Sequence, residues 1–66
     1  MLTEQKKQIL RSYAENSMNV QAVARELHYH PHTIDYHMAH IRKLTGLNPV
    51  NFYDLARLLE IIEAES

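Results

Sequence analysis

The chain has 66 residues, of which 45% are hydrophobic, with one Gly, two Pro and no Cys. A chain this short buries only roughly 60% of the surface it exposes when unfolded. That leaves no room for both a core and an ordinary catalytic cleft, so no enzyme is expected; the lack of Cys excludes disulfides and thiolate metal sites. The net charge of −1 hides an uneven distribution, since residues 1–47 carry six Lys/Arg against four Asp/Glu and residues 48–66 one against four.

The composition suits one folded helical domain over 1–66 and argues against disorder. No apolar run approaches the ~20 residues of a membrane span, and the N-terminus lacks a signal-peptide core. A soluble, cytoplasmic chain without membrane association is expected.

Four helices are predicted, at about 4–15, 20–27, 31–44 and 52–64. Thr3 is placed to cap the first, with Ile9, Leu10 and Tyr13 on one face, and Asn16-Ser17 ends it. Asn19 caps the second, whose Val20, Val23, Ala24 and Leu27 make a buried stripe. Ala24 is small where a bulky side chain would hold two helices apart.

The turn His28-Tyr29-His30 lacks the Gly often found there, so His28 takes any positive φ that is required. His30 falls at the N-cap of the third helix and Pro31 at its first position. Ile34, Met38, Ile41 and Leu44 form its inward stripe. Thr45-Gly46-Leu47 stops it, with Gly46 left-handed. Asn51 and Asp54 open the fourth helix as a capping-box variant, with Val50 and Leu55 as a hydrophobic staple. Its apolar face (Phe52, Leu55, Leu58, Leu59, Ile61, Ile62) is wider than one packing stripe needs. Leu55, Leu58, Leu59 and Ile62 are therefore candidates for a dimer or domain interface.

Helices two and three with their tight turn have the layout of a helix-turn-helix, in which the second helix enters the DNA major groove. The expected fold is all-α: a homeodomain-like three-helix core plus a C-terminal helix. Removing the inward stripe leaves His32, Thr33, Asp35, Tyr36, His37, Ala39, His40, Arg42 and Lys43 outside helix three. His32, Thr33, Tyr36 and His37 suit base edges, and Arg42 and Lys43 suit phosphates. Thr33, His37 and His40 fall at i, i+4 and i+7. His30 joins this set from the turn, and Gln21 and Arg25 reach the backbone from helix two. Asp35 repels phosphate but accepts from a cytosine amino group or pairs with a nearby cation.

The five histidines, all between 28 and 40, also raise a metal reading. Zinc needs converging ligands, and no Cys or well-placed carboxylate completes a set, so neither a metal nor another cofactor is expected. If His32, His37 or His40 meets DNA as a cation, affinity rises as pH falls from about 7.5 toward 6.

At Tyr13, Glu15-Asn16, Asn19-Val20, Ala24-Arg25, Leu27, His30, Thr33, Tyr36, Ile41, Leu44-Thr45-Gly46-Leu47 and Asn51-Phe52 the chain resembles the C-terminal helix-turn-helix of PucR-type regulators, which include the CdaR-like activators. Pro31-His32-Thr33-Ile34-Asp35-Tyr36-His37 is also similar to the LuxR-type recognition helix. Both resemblances imply a DNA-binding domain of a bacterial-type transcriptional regulator. They imply double-stranded DNA as partner, a homodimer in the full-length protein on half-sites about one turn apart, and an upstream sensing domain outside this chain. The alternative from another class is an interaction or dimerisation module that keeps the shape without binding DNA.

Overall fold

Side-chain oxygens and one imidazole start the helices. Thr3 Oγ1 accepts from the Lys6 N–H at 3.2 Å and Asn19 Oδ1 from the Ala22 N–H at 3.1 Å. These bonds satisfy backbone donors at the starts of α1 (Glu4–Glu15) and α2 (Val20–Leu27). His30 does the same for α3 (Pro31–Thr45) through Nδ1, which accepts from the His32 N–H at 3.1 Å. Pro31 follows at the position where a missing N–H is harmless. Asn51 opens α4 (Phe52–Glu65), its Oδ1 accepting from the Asp54 N–H at 3.1 Å. The computed structural model describes residues 2–65; Met1 and Ser66, the ends of the expected span, lie outside them. Among the described residues there is no strand, so the fold is all-α.

The first helix is the common wall of the core. It packs against α2, α3 and α4, and among the described residues α4 packs chiefly against α1. Ile9 and Leu10 are fully buried there and meet Val23, Ile34, Ile41, Leu58 and Ile62 in one apolar cluster. Each such side chain contributes roughly 1.5–3 kcal/mol over its exposed state. A polar clamp adds direction: Ser12 Oγ donates to Glu26 Oε2 at 3.0 Å, and Asn16 Nδ2 to Glu26 Oε1 at 3.1 Å. Lys7 completes the frame, lying 3.6 Å from Glu4 and 3.3 Å from Glu65 at the far end of α4.

Three packing expectations change. Leu44 is 54% exposed and leaves the inward stripe of α3, which runs Ile34, Met38, Ile41. Ten residues do not complete a whole number of turns at 3.6 per turn, so the next inward position is Thr45. Its hydroxyl folds back to the Ile41 carbonyl at 2.7 Å. In α4, Leu55, Leu58 and Ile62 are buried at i, i+3, i+7 and belong to the core. Leu58 and Ile62 are sealed from solvent, Leu55 reaches it only as part of the floor of a groove between α1 and α4, and Leu59 is half-buried. The surplus apolar width falls instead on Phe52 and Ile61.

The staple also fails, because Val50 is exposed and Pro49 takes the buried place. The second half of the capping box shifts with it. Asp54 Oδ2 accepts from the Asn48 N–H at 3.0 Å rather than from Asn51.

The turns carry backbone strain. Ser17, Met18 and His28 all have left-handed φ between 56° and 62° without being glycine. At His28 the turn is closed by the Tyr29 N–H bond to the Ala24 carbonyl at 2.9 Å. Gly46, at φ 77°, ends α3 through its N–H bond to the Arg42 carbonyl at 2.8 Å. Left-handed geometry costs an L-residue about 1–2 kcal/mol, and a Cβ on Gly46 would meet nothing within 4 Å. Gly46→Ala is therefore expected to destabilise by about 1 kcal/mol through backbone strain alone. His28→Gly is expected to be neutral or stabilising by up to about 1 kcal/mol. Urea midpoints measure both; a Gly46→Ala midpoint equal to that of the parent chain would contradict the strain argument.

Candidate nucleic-acid interface

With Ile34, His37, Met38 and Ile41 turned inward, the outward line of α3 is His32, Tyr36, Ala39 and Lys43, at i, i+4, i+7 and i+11. All four are exposed, Tyr36 to 65%. Asp35 and Arg42 flank the line on one side as exposed residues, and the half-buried Thr33 and His40 flank it on the other. Ala39, in the middle of the line, did not stand out as a reader in the sequence. Counting seven residues on from His32 locates it once the inward stripe is known.

The remaining candidates surround this line. His30 is exposed, and because its Nδ1 accepts the helix-capping bond, only Nε2 is left to face a partner. The His30 and His32 rings lie 4.9 Å apart. Gln21 and Arg25 are exposed on α2, four residues apart and so on one face. Arg25, Arg42 and Lys43 have no carboxylate partner within ion-pair distance among the described residues. The Tyr36 ring leans over its own helix, 5.5 Å from His37 and 5.9 Å from His40. With Ala39, His40 and Lys43 it lines a shallow depression.

His37 departs from expectation. It is 8% exposed, packed beneath the outward line, and cannot reach a base edge while α3 stays docked. The i, i+4, i+7 set Thr33, His37, His40 is thus not a single reading face. Its centre, His37, lies close to the inward stripe, three residues after Ile34 and four before Ile41. Nδ1 of His37 and of His40 are both buried without a hydrogen-bond partner.

Burial is the main cause that holds the His37 imidazole below its ordinary 6.5. The nearby Lys6 ammonium and His40 push the same way. Lys6 is itself buried on the α1 side, a feature the sequence pattern did not disclose. On α1, Tyr13 is shifted upward, first by burial and then by the Asp35 charge. No group of three or more His, Cys, Asp or Glu among the described residues is placed to hold a metal ion.

The lowered His37 value has a definite sign in stability. In the unfolded chain the ring takes up its proton near 6.5, and in the fold only at lower pH. Stability from the neutral buried ring is therefore full above about 6.5 and declines as pH falls from there toward the folded value. His37→Gln is expected to flatten this part of the profile when chemical unfolding is followed between about pH 7.5 and 5.5. Parallel losses in both proteins over that interval would show that the imidazole is not the source.

The comparisons with known proteins bear on this arrangement of helices. The family model described as the PucR C-terminal helix-turn-helix domain matches residues 7–61, from within α1 to near the end of α4. No curated protein and no solved structure matches the chain. The match takes in the capped second helix, the left-handed turn and the whole of α3 with its stop, and on that extent the chain belongs to the PucR C-terminal helix-turn-helix family.

Proposed function

We propose that this chain is the sequence-specific DNA-binding domain of a cytoplasmic transcriptional regulator, with α3 seated in the major groove. The observation that carries this is the exposed line His32–Tyr36–Ala39–Lys43 on the second helix of the motif, with Arg42 on its flank; among the described residues neither Arg42 nor Lys43 has a carboxylate within ion-pair distance. His32, Thr33 and Tyr36, toward the start of the helix, face base edges, where a helix-turn-helix makes its sequence contacts. Arg42 and Lys43 at its end take phosphates, joined by Gln21, Arg25 and His30 from the preceding helix and turn. His40 contributes from the flank, and His37 supports the helix from beneath. The acidic residues of α4 (Asp54, Glu60, Glu63 and Glu65) lie on a different helix from these cations.

A single module this small gives little affinity. In the full-length protein two copies bind paired half-sites about one helical turn apart, under control of an upstream sensing region. No helix among the described residues is long and apolar enough to cross a membrane. The reading requires no catalysis.

A second reading, a protein-interaction module, draws on the net charge of −1 and on an apolar groove between α1 and α4. Ala14, Met18, Phe52 and Leu59 are among its lining residues.

Salt separates the two. Phosphate contacts release counterions, so the logarithm of the DNA association constant should fall linearly with log salt. Arg42→Ala and Lys43→Ala should each lower that slope by about 0.9. Fluorescence anisotropy with a labelled duplex reads both quantities. Slopes unchanged by either substitution would remove those residues from the interface, and no binding at low salt would leave the interaction module.

A further inference from the structure

Asp35 has no structural role that explains its place. It is exposed on the second turn of α3, beyond the first turn where a carboxylate favours the helix dipole. It does not cap the helix; His30 does. It makes no hydrogen bond or ion pair among the described residues, although the cation Arg42 lies on the same flank two turns on. Its resolved internal effect is to hinder ionisation of the buried Tyr13. A carboxylate left free on the face that meets DNA would be repelled by every phosphate it approached. Its favourable partner there is an amino group on a base edge.

From this we infer that Asp35 is a specificity residue, and that it selects cytosine at one position of the half-site. The inference rests on the proposed seating of α3 in the major groove. Cytosine presents its N4 amino group there as a donor, which a carboxylate oxygen accepts. Adenine also offers a donor at N6, but N7 beside it is an acceptor that faces the carboxylate's lone pairs. Guanine and thymine present acceptors at the corresponding places. The order cytosine, then adenine, then guanine and thymine follows from that chemistry.

The surroundings suit the contact. Ala39, one turn further on, is exposed and ends in a methyl group, so it permits close approach of the helix at this level. The cations Arg42 and Lys43 lie another turn away, toward the backbone-contacting end. Asp35 thus adds selectivity by attraction to the cytosine amino group and by repulsion from the acceptors that the other bases present, which is how an interface rejects wrong partners.

The experiment is selection from randomised duplexes at low salt by the 66-residue chain and by its Asp35→Asn and Asp35→Ala variants. Asp35 is exposed, so both variants should keep the parent helical circular dichroism. The parent chain is expected to enrich cytosine at one position, by roughly 5- to 100-fold over guanine or thymine. Asp35→Asn should move the preference at that same position to adenine, whose N6 and N7 an amide matches. Asp35→Ala should lose the preference while binding unselected duplex more tightly.

A cytosine preference that survives in Asp35→Ala would overturn the inference. So would binding by the parent chain without base preference, which would leave DNA binding intact. Failure of the parent chain to retain any duplex would overturn both the inference and the DNA reading beneath it.

Discussion

The burial of one face of α1 is the constraint on which the other helices depend. Ile9 and Leu10 are inaccessible to solvent, and α2, α3 and α4 each pack against the helix that carries them. In a chain that buries only about three-fifths of its unfolded surface, one shared wall is an economical way to make a continuous core. Without it, α2 and α3 would be a lone helical pair whose hydrophobic faces have too few partners. α3 rests on α2 as well as on this wall, the α2 contact being the more extensive, and the two together position its outer line. The Ser12–Asn16–Glu26 clamp fixes how α2 meets the same wall, where apolar packing alone is less directional.

The polar inward positions show how little spare volume the domain has. Lys6, Ser12 and His37 are buried alongside the aliphatic core. Ser12 is hydrogen-bonded, and Lys6 carries its charge on a long apolar stem that packs while the ammonium seeks the edge. His37 is the least well served, with an unpartnered Nδ1 and a cation nearby. A neutral imidazole in that position is tolerated, and a charged one is penalised. The exposed face of α3 thus carries the cations Arg42 and Lys43, while the ring beneath it disfavours positive charge.

The start of each helix was legible in the sequence because a cap is a local event: an Asn or Thr oxygen meets an N–H within three residues. Thr3, Asn19 and Asn51 follow that rule, and even the unusual His30 cap could be placed by the proline after it. The left-handed Gly46 was legible for the same reason, whereas positive φ at His28 was only a conditional expectation raised by the missing turn glycine. Facing was less so. Spacing alone placed Leu44 inward and His37 outward, each an error of one residue in rotation, and hydrophobicity reinforced both. Polarity suggests that His37 is wet, but it stands three residues after Ile34 and four before Ile41 and so shares their side of the helix. In α4 the wide apolar face could not show which residues belonged to the core, since that depends on where α1 lies. Val50 and Pro49 exchanged roles because the linker's path is set by the Asn48–Asp54 bond, which spans six residues. The exposed line on α3 became clear only when the inward stripe was fixed from the structure.

The contact between α1 and α4 also shapes how the chain reaches this state. The α1–α2 and α2–α3 contacts join neighbours in sequence, whereas bringing α4 onto α1 closes a loop spanning nearly the whole chain. Local contacts of the first kind form early and quickly, and loop closure of the second kind carries an entropic cost that must be met before its apolar burial is gained. Leu55, Leu58 and Ile62 therefore complete the core around α1 only by closing that long loop. The motif of α2 and α3 is assembled from short-range contacts, while the permanence of that assembly depends on the most distant segment of the chain.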